Sequence, residues 1–491
     1  MAMLISATIL VPIIAGIIIS VLRMEDKARH PWYAGTIIAT DILGILALVS
    51  GKSLRLFSFA EGIDLYFEID SIGMFFMVMV MILYTCVIFY AFEYMQMEER
   101  ENVFFAFFTV SFGALLAVCM AGNLVTMYLC FEMATLTSMP LVLHEMTKDA
   151  VNAALKYLFY SIGGALLGLL AVFFVSYYSG EARFVFGGVL DTARASANEK
   201  VLLFIIFLGI IGFGTKAGMY PMHGWLPAAH PIAPAPASAL LSGIIAKAGV
   251  IAIIRLIYFS VGPDFIQGTW AQYAWMTLCM LTIFMGSMMA FREKVTKKRL
   301  AYSTISQISY INLGLSLLSL EGLRGGLLHV AAHAASKGCL FLCAGVFIYK
   351  LGKRRVSELR GIGCLMPITM WCFLIASLSL VGIPPMGGFT SKWHIALAAI
   401  GDGMGIYAVL PPVILLISAL LTAGYLLPIV VDAFFPGHEE EGHGEHTKKK
   451  IEESASGSKE PTPLMWVPMI VLCITALLVG VFGTNLVTMI I

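Results

Sequence analysis

Charge is scarce in this chain. Of its 491 residues only 12% are Asp, Glu, Lys or Arg, and acid and base nearly cancel to a net charge of +1. Soluble domains carry about a quarter charged residues, so a surface wetted all round is excluded, and the neutral total excludes a global field that recruits nucleic acid or an acidic partner. Cysteine is sparse as well. The nine cysteines are scattered, mostly in apolar stretches, with no CxxC pair and no ferredoxin-like spacing. That argues against an iron-sulfur cluster or a structural zinc on this chain, and no other metal-ligand set stands out. The start lacks a basic region and a small-residue cleavage site, so residues 3–22 read as a first helix and not as a removable signal. It also lacks the Arg- and Ser-rich character of a transit peptide, which favours a prokaryotic inner or plasma membrane.

What is present is apolar: 59% of the residues. Many uninterrupted stretches reach the roughly 20 residues a spanning helix needs. The expected fold is an all-α polytopic membrane protein with about 14 spans, near 3–22, 32–50, 71–93, 103–121, 123–143, 151–178, 201–220, 233–259, 270–291, 301–319, 325–350, 365–398, 408–431 and 464–490. Basic residues cluster in alternate loops: Arg23, Lys27 and Arg29, then Arg292, Lys294, Lys297, Lys298 and Arg299, then Lys353, Arg354, Arg355 and Arg360. The intervening loops are poorer in them, which puts the basic loops in the cytoplasm and both termini outside. Residues 436–463 are the hydrophilic exception, with Glu439 to Glu441, Lys448 to Lys450 and a Ser/Gly run. They read as a flexible cytoplasmic linker, and His438, His443 and His446 have no scaffold that would make them a metal site.

Ionisable residues inside the apolar spans are the exceptions that ask for a reason. A lysine at membrane depth costs roughly 2.5 to 3.5 kcal/mol on insertion scales, yet a Gly-Phe-x-[Thr/Ser]-Lys string occurs twice, ending at Lys216 and at Lys392. Glu132, Lys247 and Lys337 are also placed within spans. His329, His333 and Lys337 recur every four residues and share one helix face, which makes a titratable strip of the kind a proton relay needs. The blander alternative is interhelical hydrogen bonding that merely holds the bundle; apolar residues would serve stability as well. Helix breakers stand beside both duplicated lysines. Pro221, His223 and Pro227 follow Lys216, and Pro384 and Pro385 precede Lys392. Broken spans are tolerated mainly where they line a cavity, and paired broken spans point to a transport site.

The stretch from Lys216 through Pro221, His223, Gly224, Trp225, Pro227, His230, Pro234 and Ser238 to Lys247 resembles the signature of the antiporter-like membrane subunits of respiratory complex I. It is similar as well to their relatives in membrane-bound hydrogenases, formate hydrogenlyases and Mrp-type cation/proton antiporters. The likeness extends over roughly residues 100–430. It implies 14 helices with two inverted five-helix repeats, spans 4–8 (101–260) and 9–13 (261–435), each containing a broken helix, preceded by three helices (1–100) and followed by the 436–463 loop and a last helix (464–491). Lys216 and Lys392 then occupy equivalent points. Glu132 resembles the glutamate that pairs with the span-7 lysine, Lys247 the connecting lysine, His333 and Lys337 the span-11 relay, and Lys392 the terminal residue of the second half-channel. Some relatives carry glutamate at that last place, and many carry an acid where this chain has Ala229.

A Glu132–Lys216 pair at about 4 Å in an effective dielectric near 20 is worth on the order of 4 kcal/mol. Moving one charge against about 150 mV needs roughly 3.5 kcal/mol, so opening such a pair is large enough to gate transfer. The expected function is proton translocation through Glu132, Lys216, Lys247, His329, His333, Lys337 and Lys392 within a redox-driven assembly. Iron-sulfur or other redox centres would then lie on partner subunits. The alternatives are a component of an Mrp-type Na⁺/H⁺ antiporter and a structural membrane anchor.

Overall fold

The structure, a computed structural model, describes residues 2–22, 26–51, 53–60, 63–401, 403–436 and 459–490. The histidines and most charges of the 436–463 linker lie outside the described residues. Its last residues are held in place: Lys459 N–H donates to the Leu365 carbonyl, and the Glu460 carboxylate accepts from Thr369 N and Oγ1 at 3.1 and 2.7 Å.

The chain is a bundle of long helices: α1 (Ala2–Val21), α2 (Asp26–Ser50), α3 (Ser71–Tyr94), α4 (Glu101–Met120), α5 (Leu124–Leu143), α6 (Lys148–Tyr178), α7 (Glu199–Lys216), α8 (Ala235–Val261), α9 (Trp270–Arg292), α10 (Thr296–Ser316), α11 (Leu320–Leu351), α12 (Pro367–Val381), α13 (Gly387–Gly401), α14 (Ile406–Phe434) and α15 (Pro463–Ile490). Several starts carry a side-chain cap for the free N–H groups of a first turn. Asp70, Asn123, Thr147 and Ser319 accept from Gly73, Thr126, Ala150 and Gly322 respectively. Gly352, at φ +66°, ends α11 in the left-handed conformation that glycine adopts without strain.

Among the described residues, twelve helices are long and apolar enough to cross a membrane. The other two expected spans take different forms. The one near 301–319 is α10, whose Ser303, Thr304, Ser306, Gln307, Ser309, Asn312 and Ser316 are all fully buried. It is too polar to face lipid and sits inside the bundle instead. The one near 365–398 is two shorter helices, α12 and α13, separated by Gly382–Met386.

The expectation of purely helical structure is corrected by one hairpin. Ser53–Ala60 (β1) pairs antiparallel with Ile63–Glu68 (β2). Tyr66 and Asp64 bind the start of α5: Tyr66 N donates to Thr126 Oγ1 (2.9 Å), Gly122 N to the Tyr66 carbonyl (2.9 Å), and Asn123 Nδ2 to the Asp64 carbonyl (2.9 Å). A two-stranded ribbon is marginal alone; these contacts seat it on the helix ends.

Burial ranks the helices. The apolar windows of α8 and α11 are 100% and 94% buried, against 39% or less for α1, α2, α6, α14 and α15, so α8 and α11 form the centre and the others its wall. α11 packs against α3, α8, α10, α12, α13 and α15. The central α8 departs from α geometry in two π-helical segments, Leu241–Ile245 and Arg255–Val261. Such bulges are frequent at functional sites, and the first ends just before Lys247.

Candidate functional site

α7 ends at Lys216, and residues 217–225 run without helix until the short turn Leu226–Ala229. Ending a helix inside the bundle frees carbonyls that need partners. Trp225 Nε1 donates to the Thr215 carbonyl at 2.9 Å, and Gly218 and Met219 N–H groups turn back to Thr215 and Gly214. Pro221 and His223 lie in the open stretch and Pro227 at the start of the turn. The His223 ring stacks with Tyr220 at 5.8 Å between centroids.

Lys216 is buried, and its ammonium donates to Thr135 Oγ1 at 3.0 Å and to the Tyr157 hydroxyl. It also lies 4.4 Å from the Tyr157 ring centroid, within cation–π range. Tyr157 in turn bonds Ser138 Oγ at 2.7 Å. The expected Glu132–Lys216 ion pair is not formed: among the described residues no ion pair within 4.0 Å joins them, and Glu132 Oε1 is buried without a hydrogen-bond partner. Thr135 and Ser138, one and two turns beyond Glu132 on α5, bond Lys216 and its tyrosine instead.

Lys247, fully buried, contacts the Ser242 carbonyl and His333 Nδ1. His333 and His329 rings lie 6.2 Å apart on the predicted face of α11. His329 Nδ1 meets Ser391 Oγ at 2.8 Å, and its Nε2 meets Gln307 Oε1 at 3.1 Å. Lys337 donates to the Leu300 carbonyl at 3.1 Å. That carbonyl also accepts from Thr304 (2.9 Å), which contacts Ser242 at 2.7 Å, so Lys337 and Lys247 share one polar cluster.

Lys392 sits in the second half of the other break. α12 ends at Val381, Gly382 turns left-handed at φ +91°, and α13 starts at Gly387. The Lys392 ammonium folds back to the freed carbonyls of Leu380 and Val381, at 2.6 and 2.9 Å, and lies 5.0 Å from the Tyr310 ring centroid. The two Gly-Phe-x-[Thr/Ser]-Lys strings are therefore placed oppositely: one closes the helix before its break, the other opens the helix after it. Pro384 and Pro385 lie in the break itself. Gly388 lets the halves touch, since a Cβ there would stand 1.7 Å from the Ser379 carbonyl oxygen.

Lys247, His333, His329 and Ser391 thus form a run of neighbours ending beside Lys392. Lys216 joins by packing: a Cβ on Gly249 would stand 2.4 Å from the Phe213 carbonyl oxygen and 3.1 Å from Lys216 Cβ. Sequence reasoning missed Thr135, Tyr157, Gln307 and Ser391, hydroxyls and amides whose roles appear only when helices distant in sequence meet. Spacing gave no signal for Thr135, Tyr157 and Gln307; Ser391 stood in the repeated string only as the residue before Lys392.

The family model described as NADH:quinone oxidoreductase/Mrp antiporter, TM, matches residues 121–422, and that described as NADH-Ubiquinone oxidoreductase (complex I), chain 5 N-terminus, matches 59–105. Relatives include NADH-quinone oxidoreductase subunit N of Desulforudis audaxviator, 32% identical over 81% of this chain and 78% of that protein. Hydrogenase-4 component B of Escherichia coli is 32% identical over 68% of this chain, which spans only 51% of that longer protein. A Na(+)/H(+) antiporter component of Alkalihalophilus pseudofirmus is 28% identical over 79% of this chain and 75% of its own length. A chain of the archaeal membrane-bound sulfane sulfur reductase shares the fold, with a TM-score of 0.83 at 21% identity over 99% of this chain and 96% of that one. The chain belongs to the NADH:quinone oxidoreductase/Mrp antiporter transmembrane family, a multi-pass, antiporter-like membrane subunit.

Proposed function

We propose that this chain translocates protons as one membrane subunit of a redox-driven, complex I-related assembly such as a membrane-bound hydrogenase or NADH dehydrogenase-like complex. The observation that carries the reading is the buried contact of Lys247 with His333. It joins the π-bulged helix of the first half to the titratable face of α11 in the second. Counted with α12 and α13 as one broken span, the helices number fourteen, and residues 101–260 and 261–435 are the two inverted repeats. An even count leaves both termini on one side, the outside by the distribution of basic loops.

In this reading a proton on Lys216 moves to Lys247, passes through His333 and His329 with Lys337 setting the local field, and leaves from Lys392. Ammonium and imidazole groups exchange protons and bind Na⁺ poorly, which supports H⁺ as the carried ion. Lys216 is gated by loss of its Thr135 and Tyr157 partners, with Glu132, whose buried Oε1 makes no hydrogen bond, as the acceptor that draws it away. The driving free energy enters through partner subunits, which carry the redox centres. The second reading, membership of an Mrp-type Na⁺/H⁺ antiporter, draws support from the likeness to the Alkalihalophilus antiporter protein over most of both chains.

The test is proton translocation by the assembled complex in sealed vesicles with Lys216→Ala and Lys392→Ala. Each is expected to lower translocation severely while the complex still assembles. Parent-like translocation in both would sink the proposal. Co-purifying iron-sulfur subunits select the redox-driven form, and sodium-dependent proton exchange without them selects the antiporter.

A further inference from the structure

The titratable face of α11 does not stop at His329. Continuing the same four-residue step toward the helix start passes Gly325 and reaches Glu321, in the first turn. At Gly325 the face carries no side chain. α13 closes the gap: a Cβ on Gly325 would stand 3.2 Å from His394 Cβ. The His394 ring then bonds Glu321 Oε1 through Nδ1 and Thr484 Oγ1 of α15 through Nε2 at 3.3 Å. Arg324 holds the second oxygen of Glu321 at 3.4 Å. Exposure rises along this line: Lys392 is 9% exposed, the His394 side chain 15% and that of Glu321 34%.

We propose that the His394–Glu321 pair is the terminal proton-exchange group of the second half, the place where protons released at Lys392 reach water. The inference rests on the proton-translocating reading above. His394 takes the proton on its ring, Nδ1 passes it to the Glu321 carboxylate, and Glu321 releases it at the helix end. A relay that ended at Lys392 would deliver protons to a group still nine-tenths buried, against two free carbonyls. The imidazole is suited to the intermediate step because its two ring nitrogens face different partners, Glu321 on one side and Thr484 on the other. Arg324 keeps Glu321 oriented.

The experiment measures proton translocation by the purified complex in proteoliposomes for Glu321→Gln, Glu321→Asp, His394→Ala and Lys392→Ala. Loss of a positioned proton-transfer group typically costs about a hundredfold or more. Glu321→Gln and His394→Ala are expected to lose translocation on that scale, and Glu321→Asp to retain most of it. Imidazole added on the side of Glu321 should restore His394→Ala, whereas pyrrole, of similar shape but without a titrating nitrogen, should not. Equal rescue by both compounds, or by neither, assigns the pair a structural role and overturns the inference. Parent-like rates in Glu321→Gln and His394→Ala, with Lys392→Ala defective, overturn the outlet alone. Parent-like rates in all the variants, Lys392→Ala included, overturn the translocation reading with it.

Discussion

At Lys216 the decisive chemistry is a choice of partner. A carboxylate would hold the ammonium by charge; here a threonine and a tyrosine hold it by hydrogen bonds to neutral hydroxyls, and Glu132 Oε1 stays without a hydrogen-bond partner. An ammonium's hydrogen bond to a neutral hydroxyl is worth about 1.5 to 3 kcal/mol net, less than the roughly 4 kcal/mol of an ion pair at 4 Å in an effective dielectric near 20, so the lysine leaves each more readily than a carboxylate. Tyr157→Phe keeps the ring beneath the ammonium and removes only the hydroxyl. It is expected to slow translocation several-fold in vesicles while complex assembly on native gels stays unchanged; a rate equal to the parent's would remove Tyr157 from the gate. The same residue explains what sequence could not show. Spacing identified Lys216, Lys247, His329, His333, Lys337 and Lys392 because charge in an apolar run is conspicuous. A hydroxyl in such a run is not, and Thr135, Tyr157 and Ser391 meet the charged residues only through neighbours 59 to 81 residues away. Glu132 was conspicuous too, yet Thr135, one turn later on α5, is the residue that bonds the lysine.

Among the elements, the two breaks were legible from proline and glycine, and so was the side of each that carries the lysine, but what each lysine bonds was not. Lys216 terminates its helix, whereas Lys392 reaches back across its break to the carbonyls of Leu380 and Val381. That return depends on α13 lying against α12 at Gly388. Gly388→Ala must push a Cβ into the Ser379 carbonyl and is expected to cost about 1 to 3 kcal/mol. A thermal shift of the detergent-solubilised complex reads it, with Gly401→Ala, which meets nothing within 4 Å, as the neutral control. Equal melting of the two variants would show that the break can yield. The hairpin β1–β2 escaped the sequence because its strands are short and flank charged residues; it is fixed by α5, not by its own propensity.

A second element-scale prediction concerns pH. Glu98, in the turn between α3 and α4, has its carboxyl raised from the usual range by burial and by neighbouring Glu145, against the opposing pull of Lys297 and Arg354. A carboxyl raised in the folded state contributes stability at acid pH that is lost as pH climbs through its folded-state value. Glu98→Gln is therefore expected to melt above the parent at pH 8 and to lose that advantage toward pH 4. An advantage independent of pH would contradict this assignment.

For the whole molecule, hydropathy located the membrane fold, because apolar spans are what lipid demands. It also treated every span alike. The structure separates them into a wall and a centre, and the centre is where α10 hides its serines, Gln307 and Asn312 from lipid. That polar helix, the bulged α8 and the histidine face of α11 enclose the contact on which the functional account depends. The central claim is that protons cross between the two halves at Lys247 and His333. The most direct measurement is the number of protons moved per turnover of the driving reaction in vesicles by the Lys247→Met complex, with passive leak measured alongside. A continuous path predicts that protons per turnover fall to a small fraction of the parent value while the vesicles stay tight. An unchanged proton count with the variant fully assembled would contradict it.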